Sequence, residues 1–471
     1  MTEFHEDRYF DPDSTIRRNA RALYDETRAL PIISPHGHVD PAILAKNEPF
    51  TDPASLIVTP DHYLLRMLYS RGVPLESLGI PPIDGKPPAA ETDRRKVWQT
   101  FADHWHLFRG TPTRAWLEYE LRDVFGVARD LDSASAPQIY DAIVERLQSP
   151  EFRPRTLLTR FNIEVLATTD AASDTLEHHK TLRGLKLGTR IIPTFRPDAL
   201  FRIAAAGWSE ELARLERVAG GSIRDYTGLL TALTRRRAEF KALGATATDH
   251  AVLVPRTERV ADTEAGYLFT KAQEGVATGD DQARFEAHLL MEMARMSVED
   301  GLVMQLHAGS LRDHNQLVHR RFGPDRGGDI PVATEFTRNL RPLLNAHGND
   351  TRFRLIVFTL DESTYSRELA PLAGHYPAML LGAPWWFHDS IEGMTRFRDQ
   401  TLETAGIENM AGFTDDARAF CSIPARHDLA RRVDANYLGG LAARHVIDMR
   451  DASVMARALA YDCAKRAYNL P

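Results

Sequence analysis

Two histidines one residue apart, His36 and His38, follow the short apolar run Pro31-Ile32-Ile33 near the start of the chain. If that run is a strand, alternation puts both imidazoles on one face. Neutral imidazoles at i and i+2 at a strand end can grip one divalent cation, and they suit zinc, iron and related ions. Gly37 between them leaves room for backbone to approach a ligand. The spacing alone is weak and arises by accident. Further ligands, and an element that gathers them, have to come from the rest of the chain.

The elements that follow have the required rhythm. Residues 14 to 30 read as a helix with Asp13 or Ser14 as cap and Pro31 as its stop. Between Pro41 and about Pro154 the patterns are helical, at 61–70, 94–107, 114–125 and 136–147, with a Pro-rich loop at 80–88. After Pro154, apolar runs alternate with helices. The runs are Ile163–Thr169 ending in Asp170, Arg190–Phe195 ending in Arg196, and Ala245–Thr248 ending in Asp249-His250. Gly301–Leu306 ends in His307, and a helix from Val332 to Ala346 precedes Arg354–Thr359. Ala378–Gly382 leads to Trp385-Trp386, and Ala411–Thr414 to Asp415-Asp416. With the first run, that is the strand count of a parallel (β/α)8 barrel. The expected fold is therefore an α/β, TIM-type (β/α)8 barrel with a helical insertion between strands 1 and 2. Residues 1–40 and 155–471 would form the barrel, and 41–154 an insertion packed over the active-site end. In such barrels the C-terminal strand ends build the site. His36, His38, Asp170, Arg196, Asp249, His307, Trp385 and Asp416 should then converge.

Bulk properties narrow the function. Among 471 residues, 43% are hydrophobic and 26% charged, ordinary globular values. A net charge of −7 with interspersed signs argues against nucleic acid and anionic membranes as partners. Two cysteines, Cys421 and Cys463, imply no disulfide framework. The polar start, Met1 to Arg8, lacks an apolar signal core, and no apolar run approaches the ~20 residues that span a bilayer. A cytoplasmic enzyme acting on a small molecule is the expectation, with a homo-oligomer left open. No phosphate-cradling glycine loop of P-loop or Rossmann type and no Gly-x-Ser-x-Gly elbow occurs.

Several pieces then recur in a fixed order: Asp61-His62-Tyr63, Ala167-Thr168-Thr169-Asp170, and Pro193-Thr194-Phe195-Arg196-Pro197-Asp198. Met304-Gln305-Leu306-His307 follows with Gly309 and Leu311-Arg312, then Arg321-Phe322-Gly323-Pro324-Asp325. Trp385-Trp386-Phe387, Asp416-Ala417-Arg418-Ala419-Phe420 and Arg426-His427-Asp428 complete the set. In this order the chain resembles the uronate isomerase (glucuronate isomerase) family of the amidohydrolase superfamily, from about residue 30 to 432. It departs from the family pattern at Ser34-Pro35-His36-Gly37-His38, at Asp170-Ala171, at Asp313-His314, and in carrying two aspartates at the last strand end.

The resemblance implies an aldose–ketose isomerase interconverting a hexuronate, D-glucuronate or D-galacturonate, with D-fructuronate or D-tagaturonate through an enediol. It implies one divalent metal, zinc in the first place with iron or manganese as alternatives. His36 and His38 are the expected ligands. Asp416 is the third by its spacing to Arg418, with Asp415 as rival. Asp416 doubles as the candidate base, with Tyr63 and His62 as partners in proton transfer. A guanidinium holds a carboxylate bidentately, so Arg196, Arg418 and Arg426 are the candidate clamps. His307 is either a further ligand or a donor to substrate, and Trp385 and Trp386 are candidate pocket walls. Asp249 and Asp389 are weaker candidates that could be helix caps. A metal-dependent hydrolase of a lactone or amide, on the same barrel, is the alternative.

Overall fold

The computed structural model describes residues 4–471. The parallel strands are β1 (Ile32–Ser34), β2 (Ile163–Ala167), β3 (Arg190–Ile192), β4 (Ala247–Val252), β5 (Val303–Ala308), β6 (Leu355–Thr359) and β7 (Met379–Leu381). Short continuations at Asp170–Ala171 and Phe195–Arg196 prolong β2 and β3, and Phe195 pairs with Thr248 of β4. Each strand pairs in parallel with the next in sequence. Leu381 then bridges in parallel to Met410, and the His38 N–H donates to the Ala417 carbonyl at 2.9 Å. That contact closes the ring, so the chain is a (β/α)8 barrel whose eighth stave is the segment 410–417. Strands β1, β5, β6 and β7 are buried throughout, as expected where helices cover the outside and side chains fill the inside.

Local chemistry sets the outer helices. Asp13 caps Ser14–Thr27 by accepting from the Thr15 and Ile16 N–H groups. Thr278 and Asp281 form a reciprocal capping box at the start of Gly279–Asp300, which ends on Gly301 at φ 76°. Ile423–Ala443, the long helix after the eighth stave, is buried along most of its length and packs on Ser14–Thr27. Among the described residues no helix is long and apolar enough to cross a membrane.

Between β1 and β2 every described element is helical, from Pro41–Lys46 to Pro154–Arg160. Trp98, Phe101, Phe108 and Phe125 are fully buried there, in a cluster that also takes in Leu166 of β2 and Phe420 beyond the eighth stave. The insertion thus shares its core with the barrel.

Three sequence expectations are corrected. The stretch 332–340 is not helical; the helix is only Arg341–His347. Its loop backbone is satisfied from afar: Asp361 accepts from Thr334 N–H, and Glu368 from Phe336 and Thr337 N–H. The eighth stave is no ladder-forming strand, because Gly412 at φ 81° turns it against Ala464. Strands β4 and β5 run further than their apolar residues suggest, so Asp249, His250 and His307 lie within them.

Candidate active site

His36 and His38 stand just past β1, on the stretch that abuts the eighth stave. Thr169 donates its hydroxyl to the Gly37 carbonyl at 2.9 Å and fixes the turn between them. A Cβ at Gly37 would meet nothing nearer than 3.5 Å, so close packing does not demand glycine there. The Nε2 atoms of His36 and His38 lie 3.5 and 3.2 Å from Asp416 Oδ1. Asp416 Oδ2 accepts from Trp385 Nε1 at 3.0 Å. Asp416 holds a left-handed backbone, φ 45°, rare for a non-glycine residue. Asp313, Asp325 and Trp386, which line the same cavity, share that conformation.

Asp415 faces the other way. It is fully buried, with Oδ1 accepting from Ala417 N–H at 3.1 Å and Oδ2 facing His427 Nε2 at 3.0 Å.

A second donor group shares His36. The donor atoms of His36, Asp249 and His307 lie within 4.8 Å of one another, as do those of His36, His38 and Asp416. Asp249 is no cap: it sits inside β4 and faces His307 Nδ1 at 2.7 Å. An ionised carboxylate only accepts, so the proton between them is carried by His307 Nδ1, and Nε2 is the ring nitrogen turned away from Asp249. Burial alone would raise Asp249; His307, Arg196 and His36 hold it well below the usual carboxylate range. Asp416 behaves alike: burial opposes ionisation, but His38, His36 and His307 hold its pKa far down. Burial pushes His36 down to about 4, so it is neutral and free to ligate. Asp416 Oδ1, which the Nε2 atoms of His36 and His38 face, is buried without a hydrogen-bond partner. Such an orphaned oxygen beside a mixed nitrogen and oxygen donor set fits a divalent cation.

These groups open onto a cavity of about 420 Å³. His62, Arg196, Asp249, His307, Trp385 and Arg418 line it as well. His62 stacks on Tyr63 (4.8 Å) and packs at a tilt against Trp386 (4.4 Å), and burial, then Arg418, push it down to about 3. Tyr63 follows Asp61, whose carboxylate caps its helix at the Tyr63 N–H. Tyr63 faces a small recess beneath the cavity, shared with His36, His307 and Asp416. Burial raises its hydroxyl well above the ordinary value, so it stays protonated. Arg196 donates to Asp198 at 2.7 Å and lies 3.6 Å from Asp249; Arg418 lies 3.3 Å from Asp325.

Three further candidates, Arg426, Asp389 and Asp170, sit apart from the cavity lining. Arg426 is buried behind it, donating to Asp389 Oδ2 at 2.8 Å and to the Asp415 carbonyl at 3.1 Å. Asp389 is therefore an ion-pair partner, not a cap, and burial pushes it up to about 7 against the pull of Arg426. Asp170 turns aside to accept from the Thr168 hydroxyl at 2.7 Å. Arg312, Asp313 and Asp325, which the sequence offered only as motif positions without a role, also line the cavity. Arg312 donates to the buried Asp329 at 2.5 Å. The available signal was Leu311-Arg312 and Pro324-Asp325 themselves, which sit in loops beyond β5, where no periodicity points inward.

The glucuronate isomerase family model matches residues 1–468. A uronate isomerase of Nostoc punctiforme is 55% identical over 465 residues, covering 98% of both chains. One from Rhizorhabdus wittichii is 51% identical over 466 residues, covering 99% of this chain and 98% of that one. The crystal structure of glucuronate isomerase from Caulobacter crescentus superposes with a TM-score of 0.97 at 46% identity, over 99% of this chain and 97% of that one. With this match along nearly its whole length, the chain belongs to the glucuronate isomerase family and is an enzyme of the uronate isomerase type.

Proposed function

We propose that the chain interconverts an aldohexuronate, D-glucuronate or D-galacturonate, with the corresponding ketouronate, D-fructuronate or D-tagaturonate. The observation that carries this reading is the placing of Arg196 and Arg418 in one cavity with His36, His38 and Asp416. Two guanidinium groups can hold a sugar carboxylate and so set where C1 and C2 fall. Asp416, kept ionised, takes the C2 proton of the open-chain aldose. A neutral donor, the Tyr63 hydroxyl or His62, gives a proton to O1, and the product is the enediol. Return of a proton to C1 and loss of one from the O2 hydroxyl completes the ketose. Trp385 holds one Asp416 oxygen by hydrogen bond while the other faces the histidines.

His36, His38 and Asp416 would hold one divalent cation, with His307 as a possible further ligand; zinc suits the set first, iron and manganese next. When bound, such an ion polarises a substrate oxygen and stabilises charge developing on it. A cytoplasmic setting belongs to this reading, supported by two buried free cysteines, with a small-molecule uronate rather than nucleic acid or membrane as partner. The helical segment 41–154, which supplies His62 and Tyr63, acts as the cover of the barrel mouth.

The metal-dependent hydrolase is not favoured: lactone or amide opening gives no reason for carboxylate clamps. The test is proton NMR of D-glucuronate and D-galacturonate in heavy water, with Zn2+, Mn2+ or Fe2+ added in turn. Ketouronate signals, with solvent deuterium entering next to the carbonyl, are expected. Opening of a uronolactone without isomerisation would overturn the proposal.

A further inference from the structure

The left-handed backbone of Asp416 has to be held by its surroundings, since a non-glycine residue does not stay there unaided. The holding groups lie one residue back. The Asp415 carbonyl accepts from Arg426 at 3.1 Å, its Oδ2 faces His427 Nε2 at 3.0 Å, and its Oδ1 accepts from Ala417 N–H at 3.1 Å. Residue 415 is thus fixed at its carbonyl and at both carboxylate oxygens, and the only freedom left is the turn that swings Asp416 to the histidines. Arg426 and His427 are consecutive residues near the N-terminal end of Ile423–Ala443, the helix that follows the eighth stave.

Arg426 also reaches further. The same Nη1 that holds the Asp415 carbonyl donates to Asp389 at 2.8 Å, and the guanidinium lies 3.8 Å from the Trp116 ring and 5.2 Å from that of Tyr63. It therefore ties the eighth stave to the segment after β7 and to the helical insertion. Arg426, His427, Asp389 and Asp415 are all buried.

We infer that Arg426 and His427 are positioning residues: clamping Asp415, they aim the Asp416 carboxylate at His36 and His38, and Arg426 does not bind substrate. The inference rests on the role proposed above for Asp416. An arginine that clamped the substrate carboxylate would act on KM for uronates; one that aims the base acts on turnover.

The test compares His427→Ala with His427→Gln, whose amide N–H can replace the imidazole donor to Asp415. It adds the double variant Arg426→Met/Asp389→Asn, which removes both charges of the buried pair together and so leaves neither stranded. Each is assayed on D-glucuronate and D-galacturonate and titrated with Mn2+ by calorimetry. The expectation for His427→Ala and for the double variant is a fall in kcat or in Mn2+ affinity of about 10-fold or more, with KM little changed, the size usual for groups that orient a metal ligand. His427→Gln should recover most of the loss. Folded variants with wild-type kcat and Mn2+ affinity would overturn the inference, as would a large KM rise at unchanged kcat in the double variant. A wild-type chain inactive on every uronate would overturn the proposed function instead. The positioning role then stands or falls on the Mn2+ titration, where equal affinity for His427→Ala and wild type refutes it.

Discussion

Two layers of the molecule carry the same kinds of side chain and differ in what those side chains can reach. The front layer, Asp416, His36, His38, Arg196 and Arg418, lines the cavity. The back layer, Asp415, His427, Arg426, Asp389 and Glu120, lies behind it and is sealed from solvent. In front, Asp416 Oδ1 and Arg418 Nε lack partners, and Arg418 Nη2 lies 3.3 Å from Asp325. Behind, Asp415 and His427 close on each other, and Arg426 closes on Asp389. Both layers keep buried atoms without partners, Asp416 Oδ1 and Arg418 Nε in front and Glu120 Oε2, Asp389 Oδ1 and Arg426 Nε behind. The difference is that the front layer opens onto the cavity, where a ligand can meet that demand, while behind it Asp389 with Arg426 and Asp415 with His427 form pairs closed off from solvent. One peptide bond, between Asp415 and Asp416, joins the two.

The comparison can be broken most severely at Asp416. Asp416→Asn keeps the shape but removes the charge and most of the basicity, so exchange of the C2 proton, followed by NMR in heavy water, should fall by about 10²–10⁴-fold in a folded protein. Persistent exchange would move the base elsewhere. Next come the arginines. Arg418→Met or Arg196→Met should weaken kcat/KM on uronates by roughly 2–5 kcal/mol if the carboxylate pair is desolvated, with no gain on neutral aldoses. Unchanged uronate kinetics would place both in structural roles. His36→Ala and His38→Ala should each lower metal content, measured by elemental analysis, and turnover together, by at least the ~10–100-fold seen for groups one step removed from a metal. Full metal with full activity in either would remove it from the front layer.

Back-layer changes should act on stability first. Asp415→Asn should cost about 1–3 kcal/mol in denaturant unfolding, from a disturbed buried hydrogen-bond pair, and impair turnover less than Asp416→Asn does. The reverse ranking would exchange the two aspartates. A purely pH-dependent effect on stability, with none on turnover, is expected at Glu120. Burial, then Asp61, push it up to about 8, against Arg426. Between its unfolded value near 4.5 and about 8 the folded state binds a proton that the unfolded chain does not, so stability falls as pH rises through that window. Glu120→Gln should flatten this part of the Tm–pH curve; an unaltered slope would show that Glu120 is not the group responsible.

The barrel was legible because eight apolar runs and the helices between them survive in any reading of period. The histidine pair was legible for the same reason, being anchored to the end of the first run. Direction within the site was not. Strand alternation would turn Asp415 and Asp416 to opposite sides, yet residues 411–417 form no ladder, and their opposite aims come from the left-handed turn at Asp416 and the clamp on Asp415. Arg426 reads as a carboxylate clamp by its type, but its helix carries it behind the cavity, where Asp389 meets it. That pairing spans 37 residues and leaves no local trace. Residues 332–340 misled for a related reason: carboxylates from Asp361 and Glu368 supply what a helix would have supplied.

The ring of strands is closed between its last and first members by the His38–Ala417 hydrogen bond. His36 and His38 lie on one side of this seam and Asp416 on the other. A cation gripped by all three would act as a rivet across this joint of the hoop. Metal would then tighten the fold as well as serve the reaction, raising Tm with concentration by mass action. Chelation should loosen the cylinder along one line only, so that amide exchange quickens at residues 36–38 and 415–418 while the joint between β5 and β6 stays shut.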